Sequence, residues 1–241
     1  MAVKQLKVKY VGSILGISWA VVNPILIMLA ITFVFVSVFK TGIKDFPLFA
    51  LAGIFPWLFF SAALSEATVS ILNQQSILRQ FNLPREILPL SYILSNFLNF
   101  LIGWIIMYPI FLAANHRIIL YLPLLIIVLV LHFIFVCGLG LALSVFNVFF
   151  RDIGQLLGVL LMFWFWITPI FYSLDMVPAK FRWVCDFNPM TPYIIYYREV
   201  VLMGRLPDAA VFAGTFVWAL IAITFGLVVF SKLGSKLLKW I

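Results

Sequence analysis

Ionisable groups set inside apolar runs, and aromatic rings crowded at one end of such a run, are the residues of this sequence whose placement can do more than pack. Glu66 and His132 are the ionisable groups. A charge in hydrocarbon costs about 2.5–3.5 kcal/mol even on insertion scales, so each needs a partner. For Glu66 the simplest one is the interior of a helix bundle or the nearby interface, and for His132 a hydrogen bond to a neighbouring helix. Neither has the company that a proton relay requires. The rings are Phe163, Trp164, Phe165, Trp166, Phe171 and Tyr172. Rings at a membrane interface commonly form a lipid-facing belt. At this density they point around a whole helix, Phe163 with Trp166 on one face and Trp164 with Phe171 on another, so the alternative is that some line a path. Flat rings with a few polar edges suit the apolar faces of sugars, and Phe35 and Phe39 would add to that surface.

Other chemistry is absent from the sequence. Gly12 with Gly16 and Gly154 with Gly158 have the glycine spacing of a phosphate loop but lack its lysine, so no ATP site and no cofactor are expected in this chain. His116 and His132 have no metal-ligating partner one turn away, and no aspartate-rich motif could hold a magnesium-bound diphosphate. The same glycine pairs are candidates for close helix packing.

Composition dictates the setting. Of 241 residues 65% are hydrophobic and 10% charged, and the mean hydropathy of +1.18 excludes a soluble domain. Apolar runs recur at 19–39, 47–71, 88–114, 120–147, 153–174 and 209–230, each long enough as a helix to cross about 30 Å of hydrocarbon. They do not alternate as barrel strands would, so an all-α integral membrane domain covering 1–241 with six spans is expected. The first run is too long for a cleaved signal segment and is expected to be retained. The net charge of +8 is scattered between spans rather than gathered, which argues for topology signals and against nucleic acid. Lys4, Lys7, Lys9, Arg85 and Arg151 crowd one set of span ends, so both termini are expected in the cytoplasm. Cys137 lies in an apolar run and Cys185 in a polar loop, and no disulfide between them is expected.

Three segments outside the spans read as structured. Residues 3–15 carry Val3, Leu6, Tyr10 and Ile14 on one side, as an interface helix would. Residues 72–86 form a polar helical stretch interrupted by Pro84. In the loop 175–208, Thr191 before Pro192 reads as an N-cap and first helical residue for the apolar stretch 193–203. That helix is too short to cross and is expected to dip partway into the outer leaflet.

Six segments together resemble the membrane subunits of type-2 ABC exporters for polysaccharides, among them O-antigen, capsule and teichoic-acid transporters. They are KVKYVGSILGISWAVVNPIL at 7–26, GIFPWLFFS at 53–61, LPREILPLS at 83–91, FNVFFRDIGQ at 146–155, WITPIFYS at 166–173 and NPMTPY at 188–193. Their order and spacing carry the resemblance over nearly the whole chain. It implies a homodimer with two copies of a separate ATP-binding subunit, which would hold ATP and magnesium, in a bacterial inner membrane. It implies a lipid-linked polysaccharide as substrate, O-antigen foremost. It makes 72–86 a coupling helix, with Gln74, Gln75, Arg79, Pro84, Arg85 and Glu86 facing the ATPase. It makes 175–208 an outer gate that includes Pro189, Pro192, Tyr193 and Tyr196. Arg151 and Asp152 match the family's FFRDI motif, or are simply a charge pair at a tight turn. An exporter of a small drug or lipid shares the same spans. A membrane enzyme on lipid-linked sugars would need paired carboxylates or a metal site, and a channel would need a filter motif.

Overall fold

A computed structural model describes residues 16–38, 40–80 and 84–234 together with Met1, Gln5, Gly12 and Leu237, without the side chains of Ile17, Ile77 and Arg79. The expected interface helix 3–15, Phe39, the Arg79 side chain and positions 81–83 of the expected coupling helix therefore lie outside the described residues. The described chain is all-helical. Its elements are α1 (Trp19–Thr32, continued by a wider π turn over Phe33–Val38), α2 (Phe46–Asn73), α3 (Gln75–Gln80) and α4 (Ile87–Ala114). These are followed by α5 (Leu122–Phe149), α6 (Ile153–Ile167), α7 (Arg182–Asp186), α8 (Thr191–Arg198, continued by a π turn over Glu199–Met203) and α9 (Ala209–Leu233).

Among the described residues five helical segments are long and apolar enough to cross a membrane: Trp19–Val38, Phe46–Asn73, Ile87–Ala114, His116–Phe149 and Ala209–Leu233. The protein is thus a multi-pass membrane protein. The run 153–174 behaves differently from the other five. Its helix stops at Ile167 after 15 residues, about 22 Å at 1.5 Å per residue, short of the roughly 30 Å hydrocarbon core. The cause is Pro169: it disfavours helix at the residue before it, and Thr168 is extended at φ −88 and ψ 134.

α2 is the central post. In its most apolar stretch 72% of residues are buried, against 39% or fewer in each of the other four long segments. Phe46, Ile54, Phe60 and Leu64 bury their side chains completely or nearly so along it, which leaves the outer helices to present apolar faces to lipid. A second, smaller cluster of Ile71, Leu78, Leu88, Val145 and Val229 gathers at the α3 end of the bundle.

The closest helix pair, α5 with α9, depends on missing side chains. A Cβ on Gly138 would land on the backbone of Ala222 and Ile223, and one on Gly226 would land on the Gly138 carbonyl. Hydrogen at these positions lets the two backbones touch, the approach that small residues give membrane helices. The glycine pairs expected from spacing contribute less: a Cβ on Gly12, Gly16 or Gly158 would meet nothing within 4 Å, and Gly154 alone sits against Val69 of α2. Gly138→Leu or Gly226→Leu should therefore force α5 from α9, an overpacking cost of about 1–3 kcal/mol, and lower the melting temperature of the detergent-purified protein. Gly158→Leu should leave it unchanged in the same thermal size-exclusion assay.

Candidate functional site

The candidate site begins where α6 breaks. Carbonyls beyond a helix end lose their intrahelical partners, and those of Pro169 and Ile170 turn to Arg198 at the end of α8. Arg198 Nη1 donates to the Pro169 carbonyl at 2.7 Å, Nη2 to that of Ile170 at 2.5 Å, and Nε to that of Phe49 in α2 at 3.4 Å. The guanidinium also lies 3.5 Å from the centroid of the Phe49 ring and the residue is 4% exposed. Gly53, one turn along α2, leaves the room, because a Cβ there would come within 2.9 Å of both Nη2 and the Ile170 carbonyl. A planar fork of donors suits several carbonyls at once, which an ammonium group does not. Burial pulls the Arg198 pKa down to about 9, so it keeps its charge at neutral pH. The adjacent Glu199, 1% exposed, is engaged elsewhere, with Arg205 at 2.5 Å and the Asp208 amide at 3.4 Å.

The other end of α8 is closed by Asn188 and not, as expected, by Thr191. Asn188 Oδ1 accepts the Met190 amide at 3.0 Å and Trp164 Nε1 at 2.7 Å, while Nδ2 donates to Thr168 Oγ1 at 2.9 Å. An amide can accept and donate at once, so it ties the start of α8 to the end of α6. Thr191 is instead the first helical residue, and its buried hydroxyl has no partner among the described residues. Pro192 follows in the first turn, where its missing N–H is not needed.

Between these ends α8 is bolted into the bundle by its tyrosines. Tyr193 donates to the Thr215 carbonyl of α9 at 2.8 Å, and the Tyr196 ring lies 6.2 Å from Phe212. Tyr197 stacks on Trp104 of α4 with centroids 5.6 Å apart, and its hydroxyl lies 3.4 Å from His132 Nδ1 of α5. His132 thus meets α8. Pro189 and Pro192 are half-buried beside it.

The rings expected to line one path divide into two sets. Phe35 stacks on Phe46 at 5.5 Å and lies 5.7 Å from Phe171, itself 3% exposed. Trp164 meets Trp57 and Phe60 edge-on. These three pack inward as a wall, and Trp164 with Phe163 also borders an open apolar pocket of about 540 Å³. Phe163 and Trp166, 68% and 55% exposed, point out from α6 and are not covered by another described element. Tyr172 is half-buried and donates back to the Trp166 carbonyl at 3.3 Å.

At the opposite end, the described part of the 72–86 segment comprises the last residues of α2, then α3, an exposed Pro84 and a turn into α4. Gln74 Nε2 donates to the Tyr92 hydroxyl at 2.6 Å, and Arg85 donates to the Gly234 carbonyl just past α9. Both side chains hold the segment down, whereas Gln75, Pro84 and Glu86 are exposed. Arg151 and Asp152 are exposed as well, with no ion pair between them among the described residues. The turn is held by Asn147, whose Oδ1 accepts the Gly154 amide at 2.9 Å.

Sequence reasoning missed Arg198, Asn188 and Asn147. An arginine inside the apolar stretch 193–203 is itself a signal, because a charge there must be matched by partners from elsewhere in the chain.

Residues 1–202 match the ABC-2 type transporter family. The "O-antigen export system permease protein RfbA" of Klebsiella pneumoniae is 31% identical over 231 residues, which is 95% of this chain and 89% of that relative. A protein of the same description from Myxococcus xanthus is 30% identical over 208 residues, 86% of this chain and 80% of its own. The "Polysialic acid transport protein KpsM" of Escherichia coli is 22% identical over 234 residues, 94% and 89% of the two chains.

Replacing Arg198 by Met or Lys should strand carbonyls at a cost of about 1–3 kcal/mol each and loosen the α6–α8 junction. Cys185, 3% exposed with its sulfur 3.9 Å from the Ile167 carbonyl, reports on that junction. Its labelling by a polar maleimide should accelerate by roughly tenfold for each ~1.4 kcal/mol lost; an unchanged rate would show that Arg198 does not hold the junction.

Proposed function

The chain belongs to the ABC-2 type transporter family, and we propose that it is the membrane-spanning subunit of an ATP-driven exporter that carries a lipid-linked polysaccharide, O-antigen foremost, across a bacterial cytoplasmic membrane. The observation that carries this reading is the match to O-antigen export permeases over nearly the full length of both chains. In this reading both termini are cytoplasmic, two copies of the chain face each other, and each docks one ATP-binding subunit. ATP and magnesium are bound there and not in this chain.

The physical task is set by the cargo, since a long polar polymer cannot cross hydrocarbon without a route that satisfies its hydroxyls. Closure of the ATPase pair would push on Gln75, Pro84 and Glu86, which are exposed. Leu78 and Leu88 would carry that push into the cluster with Val145 and Val229, and Arg85 would pass it to the end of α9. At the far end, Phe163 and Trp166 would meet the second copy or the passing glycan, with the inward wall of Phe35, Trp164 and Phe171 behind them. Tyr193, Tyr196, Pro189 and Pro192 belong to the segment that would gate the exit, anchored by Arg198.

Purification of the tagged protein from its native cells in mild detergent should recover a nucleotide-binding ATPase in equal stoichiometry by mass spectrometry; a homomer free of ATPase would overturn the reading. Within the complex, Arg85→Glu should abolish most coupling between glycan export and ATP hydrolysis by removing the tether to Gly234. Trp166→Ala should slow export at unchanged protein abundance, and normal export in that variant would take the exposed face of α6 off the route.

A further inference from the structure

Five amide and hydroxyl side chains converge on one open cleft between helices, just on the α3 side of the bundle's middle. The cavity holds about 450 Å³ between α1, α2 and α4, and Asn23, Ser61, Ser65, Asn96 and Asn99 line it. Its apolar part is built from Phe55, Phe59 and Phe100, with Phe59 stacked flat on Phe100 at 4.8 Å and Phe55 tilted against the same ring at 4.9 Å. Asn23 and Ser65 are exposed although they stand on helices otherwise surrounded by apolar side chains. Asn96 is oriented from behind, donating to Glu66 Oε2 at 2.6 Å and to the Tyr92 carbonyl at 3.0 Å. This is where Glu66 acts, as the support of a lining amide.

Polar side chains at membrane depth are costly unless they meet other polar groups. Asn96 has its partners behind it and Ser61 donates to the Leu58 carbonyl at 3.3 Å, while the exposed Asn23 and Ser65 present polar edges to the space, so it has a polar side as well as an aromatic one. The volume falls within the range of small-molecule sites, roughly 300–1,000 Å³. No Lys, Arg, His, Asp or Glu lines it among the described residues, so no described lining group would neutralise a phosphate or a carboxylate, and the Glu66 carboxylate behind Asn96 is already taken by that amide. Amides and hydroxyls on one side and ring faces on the other match a molecule with hydroxyl edges and a hydrocarbon face. We infer that this cavity binds an uncharged sugar residue. On the exporter reading, on which this assignment rests, it lies toward the cytoplasmic side and receives a neutral sugar of the glycan rather than its phosphate linkage.

The test uses the full-length protein in nanodiscs of phosphatidylethanolamine and phosphatidylglycerol, with any co-purifying ATPase left in place. The probe is octyl β-glucoside carrying a diazirine on its alkyl chain. Photolabelled peptides should come from α1, α2 and α4, and excess octyl β-glucoside should displace the label while octyl phosphate and octyltrimethylammonium do not. Asn99→Leu and Ser65→Leu should each weaken labelling about tenfold, the equivalent of one hydrogen bond worth ~1.4 kcal/mol. Displacement by octyl phosphate as effective as by the glucoside would overturn the assignment, and so would label that no competitor displaces; both readouts need only the unmodified protein. An ATPase that co-purifies while the glucoside fails to displace would sink the sugar site and leave the exporter standing. Specific displacement without an ATPase would keep the site and remove the exporter.

Discussion

A single buried guanidinium sets the architecture at the end of the bundle away from α3. Isolated, it would cost several kcal/mol to take from water; charge-assisted bonds of about 1.5–3 kcal/mol each offset that cost. Pro169 and Ile170 can offer their carbonyls only because α6 has already ended, and Phe49 can offer its own only because Gly53 leaves the guanidinium room beside α2. The short α6, the bare face of α2 and the inward-packed α8 are thus one arrangement. Asn188 closes it from the other side by tying Trp164 and Thr168 to the start of α8.

α2 runs through every part of this scheme. It provides Phe49 and Gly53 to the clamp, Trp57 and Phe60 to the aromatic wall, Ser61 and Ser65 to the polar cavity, and Ile71 to the cluster under α3. A helix buried along most of its length, with Pro56 within it, thus touches both ends of the bundle and the cavity between them. The peripheral α5 and α9 hold together differently, by backbone contact at Gly138 and Gly226.

Much of this was legible in the sequence, because lipid imposes a simple rule: long apolar runs become helices. The runs at 47–71, 88–114 and 209–230 fall within α2, α4 and α9, with ends that coincide or shift by at most three residues. What was not legible depends on partners distant in the chain. Apolarity continues past Ile167, so only the proline two residues on marks the true end of α6. Thr191 has the right type for a cap, yet Asn188 fills the role because its amide reaches both Trp164 and Met190. The ring density of 163–172 was plain, but not its division into an inward wall and an exposed pair. Glycine spacing within one helix pointed to Gly154 and Gly158, whereas the contact that matters joins Gly138 to Gly226 on different helices.

The length of α6 has a consequence for the bilayer itself. A helix of about 22 Å beside hydrocarbon of roughly 30 Å leaves a mismatch near 8 Å, which lipids meet by thinning at a cost of fractions of a kcal/mol per Å. Where the flank that bears Phe163 and Trp166 meets lipid rather than a second copy, the acyl layer beside it would thin to match the short helix. A subunit built this way would shape its membrane as well as its own interior, and a second copy seated on the short flank would relieve the mismatch.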